Sequence, residues 1–438
     1  MNFHRSQRRR GPRCLFLLLT LIIATASAVG AQTRLYIRGE SVLLEGDVER
    51  GLLRVVPLPP GSLCAPVATA DGHFVAWTRR SGFVTYPVLF DTVSGGLAEF
   101  PSIGISSSCP FSDPHAVRLL FLNPDADRIL ILEPGGIRQI EAPGLEGTAV
   151  AVSAAGELFY SRLQDIAVIN VESGALLRTI LRLPAATLAV TSDGRTLFVG
   201  RSLTADEAPL QGFAVLAHDA VTGAELARWT GSGFLMFLNR IVLDELHSRV
   251  IVVTTSGRTA DSILYALETS SLTQVGQRGV GHFGGVVADP HADRSYALPY
   301  RTFPFGGPCF ETWLQLLQTS DLADLGRVTV FGSPDNNTTS ECALLGMGAP
   351  PTAPMGLIVS VANHRVTLTW SKPIFGLPTD HQLEVGSAPG LSNLLVARIG
   401  PATQFAGEAP SGVYYIRLRA LNALGAGPAS EELRVTVP

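Results

Sequence analysis

An all-β fold is predicted for this chain of 438 residues: a seven-bladed β-propeller followed by a β-sandwich. Three observations predict it. Segments built from an apolar strand, an acidic or polar turn and a second strand recur at intervals of roughly 40–50 residues, the length of a four-stranded blade. A second set of hairpins, with short strands of small residues, precedes each copy but the first. Beyond the Gly/Pro-rich "GMGAPPTAP" (Gly346 to Pro354) the strands lengthen and alternate, the pattern of half-buried antiparallel sheet.

Residues 1–31 stand outside this pattern. Five arginines (Arg5, Arg8, Arg9, Arg10 and Arg13) precede the apolar run "CLFLLLTLIIATASAV" and the small residues of "AVGA". That order of basic, apolar and small residues predicts a secretory signal peptide removed near Ala31. The run is too short and too early for a membrane span. A secreted or periplasmic location follows, with no span after the signal is removed. Removal leaves 28 basic against 37 acidic residues, a net charge of about −9. Such a surface repels nucleic acid and anionic lipid, and neither is expected as a partner. The Arg-heavy composition, with Lys372 the single lysine, points to a bacterial gene.

The turns of the first repeat family fall near residues 51, 95, 135, 174, 223, 270 and 320, in copies such as "LFDTVSGGLAEF", "VINVESGALLRTI" and "YALETSSLTQV". Seven turns predict seven blades. The second family carries "TADG", "SAAG" and "TSDG", which are ordinary hairpin turns. "DPHAVR" (Asp113 to Arg118), "DELHSR" (Asp244 to Arg249) and "DPHADR" (Asp289 to Arg294) occupy the same slot. There the Asp caps the turn and Pro presets φ. His115, His247 and His291 are therefore expected on separate turns, away from the usual binding face and not converging on one site.

The first copy lacks an inner strand, and "ECALLGMG" (Glu341 to Gly348) has no blade of its own. Pairing the two closes a ring over residues 33–348 and removes both free edges. Residues 349–354 are then a linker and 355–438 the second domain. Four cysteines remain after the signal: Cys64, Cys109, Cys309 and Cys342. An even number in an exported chain favours disulfides over metal ligation. The ring register puts Cys64 and Cys109 just before neighbouring inner strands. It puts Cys309 and Cys342 on the same face at the closure point. Cys64–Cys109 and Cys309–Cys342 are the expected pairs.

In the second domain, "HRVTLTWSKP", Tyr414 eight residues before Asn422, and "RALNALGAGPAS" resemble a fibronectin type III domain across residues 350–438. The resemblance implies a seven-stranded sandwich with Trp370 in its core and Tyr414 as the tyrosine corner. His381 stands where such domains often carry an aromatic. More loosely, the propeller is similar to exported bacterial repeat proteins with "YVTN"-type or quinoprotein-like blades.

Chemistry-bearing motifs are few. "GVGHFG" (Gly279 to Gly284) satisfies GxGxxG but precedes a strand and not a helix, so it has no helix N-terminus for a pyrophosphate. GxSxG, HExxH, SxxK and CxxCH are absent. No cofactor is expected. Calcium is the one ionic candidate, at "NPDAD" (Asn123, Asp125, Asp127) and "DNNTTSE" (Asp335, Asn337, Thr339, Glu341), where oxygen ligands alternate without the glycine and distal Glu of a full calcium loop. The remaining signal is loop size. "RRSGFVTYP", "RSLTADEAPLQGF" and "YRTFPFGGPCFETW" are read as enlarged loops on the cysteine-bearing face. The last carries Tyr300, Phe303, Phe305, Phe310 and Trp313, rigid aromatic anchors of the kind that dominate interfaces. The favoured expectation is a non-catalytic, adhesion-type protein binding an extracellular protein or glycan through this face. The alternative is a secreted enzyme, lyase-like or quinoprotein-like, with its site at the channel mouth.

Overall fold

The computed structural model describes residues 33–38, 42–47, 51–103, 109–134, 136–180, 185–203, 212–232, 236–256, 261–281, 283–299, 314–328 and 344–438. Seven four-stranded antiparallel sheets occupy the described part before residue 349. The first complete blade runs inside to outside as Ser62–Ala68, Phe74–Ser81, Val84–Asp91 and Leu97–Glu99. Blade 5 repeats the plan with Met236–Asp244, Arg249–Ser256, Ser262–Glu268 and Gln274–Gly281. Blade 6 has Phe283–Ala288, Ser295–Pro299, Leu314–Leu317 and Asp324–Val328.

The seventh sheet is the closure. Leu344–Gly348 pairs antiparallel with Arg34–Arg38, with Tyr36 opposite Gly346. Arg34–Arg38 then pairs with Val42–Asp47, which pairs with Gly51–Pro57. The closing strand packs between the inner strands of blades 6 and 1. Chain ends more than 300 residues apart thus share one sheet, which closes the ring.

Alternation explains why these strands stack as blades. The second and third strands of each blade are buried on both faces, so they read as continuous apolar runs such as "LLFL", "ILIL", "IAVI" and "VIVV". Their side chains form cores between neighbouring blades; one contains Phe159, Ile166 and Val168 together with Leu197, Val199, Ala214 and Leu216. The outer strands are mostly exposed, and the third-to-outer turns are capped by their own acids or amides. Asp219 accepts from the backbone amides of Val221 and Thr222, and Asn170 does the same for Glu172 and Ser173.

"RRSGFVTYP" is not an enlarged loop. Ser81 pairs with Val84 across the two-residue turn Gly82–Phe83, with Gly82 at φ +61°. The glycine supplies the positive φ and the flanking residues extend the strands. "RSLTADEAPLQGF" falls largely outside the described residues.

Residues 355–438 form two packed sheets. One orders Met355–Ala362, Arg365–Ser371 and Gln404–Glu408. The other orders Leu395–Arg398, Asp380–Gly386 and Gly412–Asn422, and the last of these also pairs with both Gly425–Ala429 and Leu433–Val437. Counting those two segments as one interrupted strand gives seven. Trp370 lies in the core with Leu368, Leu383 and Leu418 and meets the edge of the buried His381 ring at 5.2 Å. The Tyr414 hydroxyl donates to the Pro410 carbonyl oxygen at 2.9 Å.

Candidate functional site

Each inner strand borders the ring axis, so its side chains and the hairpin turn that follows line a central channel. At the turn end of this channel the sandwich is docked. The Leu377 amide donates to the Ala70 carbonyl oxygen at 2.8 Å, and the Ala423 amide donates to that of Asp71 at 3.0 Å. Asn422 Nδ2 donates to the Ala349 carbonyl oxygen at 2.9 Å. Leu424 fills the notch beside Gly72 and Gly348: a Cβ on Gly72, whose φ is +68°, would lie 2.5 Å from the Leu424 side chain. The linker is fastened too. The Thr352 amide donates to the Phe375 carbonyl oxygen at 3.0 Å, and the Phe375 amide donates to Thr352 Oγ1 at 3.2 Å.

The three His-bearing turns belong to this end. Each Asp performs the expected cap: Asp113 accepts from the His115 amide at 2.8 Å, Asp289 from that of His291 at 2.9 Å, and Asp244 from that of His247 at 3.2 Å. Asp289 also takes the Thr33 and Tyr296 hydroxyls at 2.9 and 2.8 Å, tying the start of the closing blade to blade 6. One part of the expectation is corrected. The tips do gather, because Pro114, His115, Asp244, Glu245 and Pro290 line one cavity together. A turn that follows an innermost strand must end near the axis, whichever blade bears it.

The histidines then divide. His291 Nε2 is 2.9 Å from the Pro350 carbonyl oxygen; a carbonyl only accepts, so this nitrogen carries the hydrogen. His115 is pulled down to about 4, first by burial and then by the positive charge of Lys372 from the sandwich. His291 is lowered by burial as well. His247 instead turns its Nδ1 to Asp244 at 2.7 Å. Two of the three are therefore fixtures of the interdomain contact and not a shared site.

The cavity inside the channel measures about 350 Å³, and its deeper wall consists mainly of small or apolar residues, among them Ala65, Val67, Val242, Val286 and Met347. Arg240 also lines it. Asn239 is skipped in the pairing of Met236–Asp244 with Arg249–Ser256, since Leu238 opposes Thr254 and Arg240 opposes Val253. A bulge of this kind turns two consecutive side chains to one side, and Asn239 and Arg240 are both exposed. Among the described residues no hydrogen bond or ion pair reaches Arg240, whose exposed side chain borders the cavity. The two acids at the turn end are already served. Asp244 has His247, and Glu245, raised chiefly by burial, takes the Ser192 amide and hydroxyl at 2.7 and 2.9 Å.

At the opposite, loop end, a disulfide joins Cys64 to Cys109 with their Cα atoms 5.3 Å apart. This is the expected pair, although Cys64 lies within the strand Ser62–Ala68, at a break in its register and at φ +69°. Phe83 and Leu163 stand exposed on the second-to-third-strand turns of blades 1 and 3, at 82% and 64%, and Phe237 opens the inner strand of blade 5. Tyr300, Phe303, Phe305, Phe310, Trp313, Cys309 and Cys342 lie outside the described residues. So does the candidate cation segment Asp335–Glu341. In "NPDAD", Asn123 donates to the Ile103 carbonyl oxygen and Asp127 accepts from the Gly144 amide, so both side chains serve their own loops. Among the described residues no group of three His, Cys, Asp or Glu could hold a metal ion. No described helix is long and apolar enough to cross a membrane.

Sequence reasoning missed Arg240 and the docked sandwich. The signal for the first was an arginine within the otherwise apolar inner strand "MFLNRIVLD".

No family model matches the chain, and no curated protein does. Among solved structures, a protein from Lactobacillus plantarum is similar over 72% of this chain and 99% of its own, at 12% identity and a TM-score of 0.48. Dihydro-heme d1 dehydrogenase NirN is similar over 93% and 74%, at 10% identity and 0.46. The FN5 domain of Drosophila Lar is similar over 20% of this chain and 97% of its own, at 20% identity and 0.18. None of these reaches a TM-score of 0.5, and the fold rests on the sheet topology of the chain itself.

Proposed function

We propose that this protein is exported and non-catalytic, and binds an extracellular protein or glycan through the loop face of the propeller. The observation that carries this reading is the docked sandwich. It occupies the turn end of the channel through Ala70, Asp71, Gly72 and Ala349, and in this reading the loop face is the end that meets a ligand. The disulfide at Cys64–Cys109 braces that face, and Phe83, Leu163 and Phe237 present apolar surface there. Scaffolds whose loops carry recognition while the strands stay rigid fit this division of labour. The bridge also fits an oxidising compartment and, with residues 1–31, export.

The sandwich is, in this reading, a fibronectin type III domain serving as a fixed cap. Its division into sheets of three and four strands and the Tyr414–Pro410 bond support that reading. Pro299 ends the second strand of blade 6 and Leu314 begins its third, and this reading takes the aromatic segment between them, Tyr300 to Trp313, as part of the binding surface.

Co-purification with mass spectrometry, together with a glycan array, tests this. Replacing Phe303, Phe305 and Trp313 together should abolish capture with the melting temperature nearly unchanged. Capture that survives the triple replacement rejects the surface, and turnover on a glycan or quinone-linked panel would favour the enzymatic alternative.

A further inference from the structure

We infer that the central channel is a binding site for a small organic monocarboxylate with an apolar body, its carboxylate on Arg240 and its body against Val67, Val242 and Met347. This inference does not rest on the loop-face reading, because the site lies inside the ring.

The argument begins with an imbalance of charge. Four residues along one strand separate Arg240 from Asp244 by about 13 Å, too far for an ion pair. Asp244 and Glu245 are held by His247 and Ser192. Among the described residues Arg240 is the one arginine or lysine that lines the cavity and it lacks an acceptor, while both carboxylates have donors. The bulge at Asn239 turns this exposed guanidinium, which has no partner among the described residues, toward the channel. Bulges recur in the inner strands of blades 1, 3 and 6, and among these bulged segments only that of blade 5 has a cation in its sequence.

Cavity chemistry selects the ligand. A guanidinium offers two parallel N–H groups that match a planar carboxylate. A dianion such as phosphate would need further donors, whereas alanine, valine and proline make up much of the described lining and Arg240 is its one arginine. A volume of about 350 Å³ falls at the small end of ligand sites. With the sandwich docked at the turn end, the ligand enters from the loop face.

Titration calorimetry on the mature chain tests this with benzoate and octanoate as probes, and with benzyl alcohol and inorganic phosphate as controls. Saturable, one-to-one binding of a carboxylate probe is expected, at least tenfold tighter than benzyl alcohol or phosphate. Arg240→Leu should lose that binding by tenfold or more while its melting temperature stays level, because the side chain is exposed and has no partner among the described residues. Arg240→Lys should bind at an intermediate level. No carboxylate binding, equal binding of benzyl alcohol, tighter binding of phosphate, or undiminished binding by Arg240→Leu overturns the inference. A fall in melting temperature for both variants assigns Arg240 to the fold instead and overturns it equally.

Discussion

Acid should loosen this molecule at the interdomain contact, and His115 sets the size of the effect. In the folded chain its imidazole titrates at about 4 in place of an ordinary 6.5. Between those values the unfolded chain holds a proton that the folded chain does not, so stability rises with pH across the window. The contribution is complete above pH 6.5 and is lost as pH falls through about 4. At roughly 1.4 kcal/mol per unit, the full shift amounts to about 3 kcal/mol, an upper figure because the ring is partly exposed. His291 is shifted in the same direction by burial and adds to the effect. Urea unfolding of the mature chain at pH 7, 5.5 and 4 reads it directly, with His115→Asn as the comparison. The wild type should lose up to about 3 kcal/mol more than the variant between pH 7 and 4. Parallel pH profiles for the two proteins would refute the assignment of this proton to the buried turn.

Other outcomes follow from single contacts. Replacing Cys64 and Cys109 by Ser opens a loop spanning 45 residues of sequence, and loop entropy sets the loss at about 4 kcal/mol. A lower melting temperature, matched by the wild type under reductant, checks it. Gly72→Leu puts a side chain where Leu424 already sits, at a φ that disfavours it. The expected result is a sandwich that melts apart from the propeller and separates from it after limited proteolysis, while each retains its strand content by circular dichroism.

Much of the fold was legible because it depends on local patterns repeated many times. Continuous apolar strands, the acidic third-to-outer turns and the Asp caps are properties of about ten residues each. The missing inner strand at the start and the spare "ALLGMG" at the end showed how the ring must close. The Cys64–Cys109 bridge followed once that register was assigned. What was not legible depends on contacts between distant segments. His115 and His291 could be placed on turns, but no pattern told that Lys372 or Pro350 would come to meet them. Phe83 falls in "RRSGFVTYP", which was read as an enlarged loop. Strand propensity on both sides carried the hairpin to two residues. Arg240 escaped notice because its meaning depends on a bulge, and a one-residue insertion leaves no mark in alternation already blurred by "NRI".

Amide hydrogen exchange in the full chain tests the central claim, that the sandwich is seated on the turn end of the propeller. The amides of Leu377 and Ala423 donate to Ala70 and Asp71 across the contact. Peptides covering 374–378 and 422–425 should exchange slowly in the intact protein and become fast in Gly72→Leu. Fast exchange of both peptides in the unaltered chain would contradict the account.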